Sequence, residues 1–209
     1  MNIADLILAS SNAEHCQRNW DHSQSIPDDH VKALIEIATN MPTKANEPYY
    51  KLFVSTDRTV NRKFYKAAID PNNPNTFVRN AQVDAQVVFT WFETKPPGLD
   101  DDTNRLGHHD PWLLNSRTAM GISSGAVALA ANTMGYRTGY NQCFNSDDII
   151  DIVLEATGET DRTLFQKPHY QLGIGIPNSE HKWTTVLDDE GNVLENIKPH
   201  LKTISVTMV

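Results

Sequence analysis

The sequence has almost no means of cross-linking itself: its two cysteines, Cys16 and Cys143, stand far apart and neither belongs to a Cys-x-x-Cys pair. That spacing argues against a disulfide framework and against a zinc site built on thiolates. Basic charge is also short, with 18 lysines and arginines against 26 acidic residues and a formal net charge of -8. Such a balance has no surplus to neutralise nucleic-acid phosphates or to hold an anionic membrane, so neither partner is expected. Long apolar runs are missing too. The longest apolar stretch near the start, Ile3 to Ala9, is interrupted by Asp5 and has neither a basic flank nor a small-residue cleavage site. It reads as neither signal peptide nor transmembrane span, and a cytoplasmic setting is the expectation. Internal repeats and low-complexity tracts are absent as well.

What is present suits one sizeable core. With 209 residues, 39% of them hydrophobic, a single domain over residues 1–209 is the default. Helical spacing of Val31, Leu34, Ile35, Ala38 and Met41 predicts a helix with Ser25 as cap and Pro42 as stop. YYKLFVST from Tyr49 and AQVVFTWF from Ala85 predict strands, the second nearly continuous in hydrophobicity and therefore central. Between them, Asp57 to Ile69 reads as helical. Asp110 and Pro111 look like the start of a long helix closed by Gly135, small and apolar nearly all round and so buried on several sides. YRTGYN and YQLGIGIP predict further strands, SDDIIDIVLEATG a capped helix, and TTVLDDEGNVLEN a surface hairpin. The tail LKTISVTMV alternates like a strand and needs something to pair with. Helices and strands without strict βαβ alternation favour an α+β sheet flanked by helices.

Four stretches in this order resemble the nitroreductase family. HCQRNW is similar to its opening basic motif, placing Cys16 at a small hydroxyl position, Arg18 at a basic one and Trp20 at an aromatic one. NMPTKANEPYYKLFV resembles a Pro-Ser-x-x-Asn-x-x-Pro-Trp segment entering a strand; the long small-residue helix ending NTMGYRTGYNQCF resembles the family's dimer helix and flavin-facing loop; YQLGIGIPN resembles its Gly-Tyr-Pro strand end. Two departures stand at the first motif: Glu14 where the family has arginine, and Cys16, whose thiol is a weak hydrogen-bond donor.

The resemblance implies a central mixed β-sheet flanked by helices, with a C-terminal strand extending to the partner subunit of a homodimer, and FMN bound between the subunits. Arg18 would offer a fork to the phosphate, the ribityl chain or the pyrimidine edge of the ring. Cys16 would stand beside it. Lys44 and Asn46, next to Thr43, lie on the loop before the first strand, with Asn46 able to donate and accept at the ring edge. One of Arg79 and Asn80 falls where a polar or basic group faces flavin N1 and O2. Tyr140, Gln142 and Cys143 correspond to the loop covering one flavin face, where main-chain N–H groups serve N5. Lys198 and His200 resemble a basic pair at the phosphate, with Lys182 competing for that role. A polar turn or a solvated cation is the plainer reading of each, and a buried or inert thiol that of Cys143. His108, His109 and Asp110 form the only cluster with metal-ligand character, and without further ligands no metal is expected.

The implied activity is an FMN-dependent oxidoreductase of ping-pong type. It takes two electrons from NADPH or NADH through flavin N5 and gives them to a nitroaromatic, quinone or similar conjugated small molecule. The cofactor carries that chemistry, so no side chain is expected to be catalytic. Two alternatives stay open: reductive dehalogenation or flavin fragmentation on the same fold, decided by a lid at residues 95–109, and a flavin-binding redox sensor without turnover.

Overall fold

Seven consecutive buried residues, Val87–Glu93, form the strand around which the protein is built. In this computed structural model residues 2–68, 77–98, 111–188, 190–198 and 204–207 are described. In chain order the main elements are α1 (Ile3–Ala13), α2 (Asp28–Thr39), β1 (Tyr50–Ser55), α3 (Arg58–Ala67), β2 (Val87–Glu93), α4 (Pro111–Thr133), β3 (Arg137–Asn141), α5 (Ser146–Thr157), β4 (Pro168–Gly175), β5 (Thr185–Leu187) and β6 (Val193–Asn196).

The central sheet has the order β1-β2-β4-β3, and β5 pairs with β6 in a separate ribbon. All three pairings of the central sheet are antiparallel, so no parallel member of the expected mixed sheet lies among the described strands. The unbroken apolar run of β2 follows from burial on both faces. Phe89 and Trp91 point with Leu172 and Ile174 into a core closed by Leu34 and Met120. Val88 and Phe92 point the other way, toward Phe64 of α3 and Ile149 and Val153 of α5.

Helix ends follow local chemistry. Asn145 caps α5 by accepting from the Asp147 N–H, and Gly158 closes it at φ 71°. Asp57 caps α3 in the same way. Gly135, at φ 94°, turns the chain after α4. The cap expected of Ser25 is not found, because α2 begins after Pro27, whose ψ of 142° is extended. Asp28 and Asp29 in the first turn supply the negative charge that the helix dipole favours.

Helix α1 has no counterpart among the predicted elements. Asn2 and Asp5 start it with a reciprocal capping box, and it packs on α4 and β3 through its small residues while Ile3, Ile7 and Leu8 remain exposed. That inverted amphipathicity, apolar outward, hides it from a search for core-facing periodicity. Helix α4 buries Met120, Ser123, Val127 and Ala131, but Leu114 and Ile122 are exposed on its other side, with Gly121 and Gly125 between and beyond them. It is therefore not covered all round within one chain. The predicted hairpin is the β5–β6 ribbon, with Val186 opposite Glu195. Residues 204–207 of the tail form no strand within the chain, and Ile204 and Val206 are exposed.

Candidate functional site

The segment after α1 is sewn to β3 and to the chain that leaves β4. The Gln17 N–H donates to the Thr138 carbonyl at 2.9 Å, Asp21 N–H to Ile176 at 2.9 Å, and Asn178 N–H returns to Asn19 at 3.0 Å. Trp20 locks the same segment from beneath by donating its indole N–H to the Ala81 carbonyl at 2.8 Å. Arg18 is thus held on a frame of main-chain bonds.

A second segment, the 3-10 turn Phe77–Val83, lies directly on the sheet because two strand positions lack a side chain. A Cβ on Gly139 would stand 2.5 Å from the Gln17 carbonyl oxygen and 2.8 Å from Gln82 Cγ, and one on Gly173 would run into the Gln82 main chain. These glycines allow the close approach that delivers Arg79 to Arg18.

At the meeting point Arg18 Nε donates to the Arg79 carbonyl at 2.8 Å and its Nη1 to the Cys16 carbonyl at 2.9 Å. The Cys16 thiol lies 3.9 Å from the Tyr140 carbonyl oxygen. Burial pushes the Arg18 guanidinium below the ordinary arginine value, with electrostatic interactions from Cys16 and the Glu195 carboxylate opposing the shift. Arg79 in turn is gripped by Glu195 of β6, Nε to Oε1 at 2.5 Å and Nη2 to Oε2 at 2.9 Å. Beside this corner the His15 ring stacks on Trp183 with centroids 4.4 Å apart.

A buried polar row fixes the loop that follows β3. Thr90, Gln171 and Asn141 face one another across β2, β4 and β3. Gln171 Nε2 donates to Thr90 Oγ1 at 3.2 Å, Asn141 Nδ2 to Gln171 Oε1 at 3.5 Å, and Asn141 Oδ1 accepts from the Cys143 N–H at 3.0 Å. The main-chain donor of Cys143 is therefore engaged by Asn141, and the Cys143 side chain is exposed rather than buried.

Of the sequence-predicted residues, the structure brings Cys16, Arg18, Arg79 and Tyr140 together, with Gln142 and Cys143 next along the chain. It separates the Arg79–Asn80 pair, since Asn80 turns its amide to the Ala68 carbonyl at the end of α3. Lys44 and Asn46 sit exposed in a 3-10 turn ahead of β1, at the opposite edge of the sheet. Lys198 is exposed just beyond β6, Lys182 is exposed before β5, and His200 lies outside the described residues, as do His108, His109, Asp110 and most of the expected lid. Sequence reasoning missed Glu195 and the Thr90–Gln171–Asn141 row. The polar residues inside otherwise apolar strands were a signal for the row, whereas nothing local marks Glu195 as a partner of Arg79.

Arg18 also lines a cleft of about 280 Å3 whose far wall holds Arg58, Arg62 and Asp84. Asp84 takes a fork from Arg58 and a 3.0 Å bond from Arg62. Burial alone would raise its carboxyl, but hydrogen bonds from His22 and Arg58 and the charges of Arg58 and Arg62 hold it below the ordinary value. Among the described residues no group of three His, Cys, Asp or Glu is placed to hold a metal ion, and no helix is long and apolar enough to cross a membrane.

No known family profile matches the sequence, and no curated protein is similar to it in sequence. Solved structures are similar to it in fold. A nitroreductase family protein from Streptococcus pneumoniae TIGR4 superposes with a TM-score of 0.60 at 16% identity, over 97% of this chain and 96% of that one. A protein of Staphylococcus epidermidis ATCC 12228 named as an NAD(P)H:FMN oxidoreductase gives 0.63 at 14% identity, over 87% and 91%. The enone reductase CLA-ER of gut-bacterial fatty acid biohydrogenation gives 0.61 at 17% identity, over 89% and 95%. At these identities the likeness is one of architecture, and on it this chain has the nitroreductase fold.

Proposed function

We propose that the protein is an FMN-dependent oxidoreductase acting as a homodimer, which passes electron pairs from NADPH or NADH to a nitroaromatic, quinone or similar conjugated acceptor. The observation that carries this reading is the meeting of Arg18 and Arg79, distant in sequence, within one hydrogen bond on the nitroreductase fold. Arg18 brings its guanidinium to the Arg79 main chain, and a guanidinium is the donor fork that a phosphate or a polar ring edge requires. A loop pinned by a buried amide row, with main-chain and amide groups at its surface, suits the edge of a flat polar ring. The residues present therefore fit FMN in type.

When bound, FMN supplies the hydride chemistry at N5. The chain's contribution is to hold and orient. Arg18 would hold the phosphate, the ribityl chain or the pyrimidine edge, Arg79 the N1 and O2 edge of the ring, and the Tyr140–Cys143 loop, tied by Asn141 at the Cys143 N–H, would limit access to one side. The exchange of NAD(P)+ for acceptor at one shared place makes the kinetics ping-pong.

Two features favour a two-subunit site. Ile3, Ile7 and Leu8 of α1 and Leu114 and Ile122 of the neighbouring α4 expose apolar surface that a partner would cover. Lys44 and Asn46 stand three strands away from the Arg18 corner, about 14 Å by strand spacing, so a partner's copy of that turn would complete each site. The exposed tail would pair with the partner. Purified protein should elute as a dimer, take up FMN, lose the flavin's visible absorbance on addition of NADPH or NADH, and regain it with a quinone or nitroaromatic. Protein that leaves FMN unbound, or binds it without reduction by either nicotinamide, contradicts the proposal.

A further inference from the structure

At the end of β2 the chain buries a carboxylate that the flavin reading does not use. The Glu93 side chain is only 5% exposed, and its Oε1 accepts from Arg117 Nε of α4 at 2.9 Å, with His169 Nδ1 of β4 3.4 Å from the same oxygen. Oε2 receives no bond from any described residue and is open to the cavity that Glu93 lines. A buried carboxylate oxygen without a donor is costly, and a donor on a ligand would relieve that cost.

The cavity holds about 350 Å3 between the start of β1, the end of β2, the turn before β4 and the start of α4. Lys51, Lys95 and Lys167 bring three positive charges to it, and Trp112 and Leu164 supply apolar wall. Two of the lysines are positioned by the chain itself. Lys51 Nζ donates to the Leu164 carbonyl at 2.8 Å, and Lys167 Nζ lies 5.3 Å from the centre of the Trp112 ring. Lys167 gets there from a left-handed backbone, φ 47°, while its carbonyl accepts from the Glu93 N–H at 3.0 Å. A non-glycine residue adopts such a φ only where surrounding bonds outweigh its cost. Arg117 already offsets Glu93, so the lysines leave the cavity cationic.

We infer that this cavity binds a small amphoteric molecule bearing a primary ammonium and a carboxylate: the ammonium donates to Glu93 Oε2, and the carboxylate meets the lysines. The buried floor and the exposed rim, where Lys51 and Lys167 stand, ask for opposite charges. An anion alone leaves the Glu93 oxygen unmet, and a cation alone faces the lysines. Trp112 offers a face to a flat or apolar body between the two charges. None of these residues belongs to the Arg18 corner, and the inference is independent of the flavin reading.

The test is isothermal titration of the full-length protein with 4-(aminomethyl)benzoate, benzoate and benzylamine, on wild type, Glu93→Gln and Lys167→Gln. A charged bond to a buried carboxylate predicts that the zwitterion binds wild type about tenfold more tightly than benzoate, with benzylamine the weakest. Glu93→Gln should abolish that preference. Lys167→Gln, which alters an exposed side chain, should weaken zwitterion and benzoate alike by about threefold. Circular dichroism verifies that the variants are folded, and the wild-type comparison needs neither of them. Benzoate equal to the zwitterion on wild type, no binding of any probe, or a zwitterion held by folded Glu93→Gln or Lys167→Gln as tightly as by wild type overturns the inference.

Discussion

The two edges of the central sheet carry the same types of residue in opposite surroundings. Along β3, Arg18 is fixed by the Arg79 and Cys16 carbonyls, and Arg79 sits on the turn that Gly139 and Gly173 admit onto the sheet. Ahead of β1, Lys44 and Asn46 are exposed, and Ala45 and Asn46 adopt positive φ of 55° and 59°. A cation held by bonds that the fold has already made is pre-organised for an anion; a solvated one must lose freedom to bind. On the proposed function the β3 edge would be the pre-organised half-site, and the β1 edge would contribute only where a partner brings it to a ligand.

Removing that half-site should have the largest effect. Arg18→Ala strips the charge and leaves the Arg79 and Cys16 carbonyls without their donor, and FMN binding should weaken roughly a hundredfold. A change below threefold would mean that the corner does not hold the cofactor. Next comes the support beneath it. Asn141→Ala deletes the bond to the Cys143 N–H and leaves Gln171 of the buried row short of a partner, for an expected loss of about 2 kcal/mol in urea unfolding. A loss under about 0.5 kcal/mol would show the row to be dispensable.

The back wall of the same edge gives a pH signature. Asp84 titrates below its unfolded value, so its contribution is fully present above about pH 4 and drains away as the pH falls through the lower folded value. Asp84→Asn should therefore flatten the acid limb of stability against pH and cost about 2 kcal/mol at neutral pH. An unchanged acid limb would remove the ion cluster from the account. The smallest effect is expected at the other edge, where Lys44→Ala should leave unfolding stability within about 0.5 kcal/mol and alter FMN affinity only a few-fold. A loss as large as that of Arg18→Ala would erase the contrast between the edges.

Much of the architecture can be read in the sequence because its signals are local. The continuous run of β2, the glycine that closes α5 and the turn between β5 and β6 each depend on a few neighbouring residues. Helix α1 could not be found from core-facing periodicity, because its large apolar residues face outward. The start of α2 was misplaced because a serine two residues before a proline looks like a cap, while the proline's extended backbone postpones the helix. At the site, the family resemblance pointed to Arg18 but could not divide Arg79 from Asn80, which are adjacent in sequence and diverge to Arg18 and to Ala68. Glu195 was invisible because its role depends on the meeting of two segments more than a hundred residues apart.

The central claim is that the β3 edge is a flavin-binding half-site built around Arg18, and saturation binding of FMN to flavin-free protein tests it most directly. The account predicts a saturable isotherm approaching one FMN per chain for wild type and a curve displaced roughly a hundredfold to weaker binding for Arg18→Ala. Wild-type protein that is folded and dimeric yet shows no saturable uptake of FMN would contradict it.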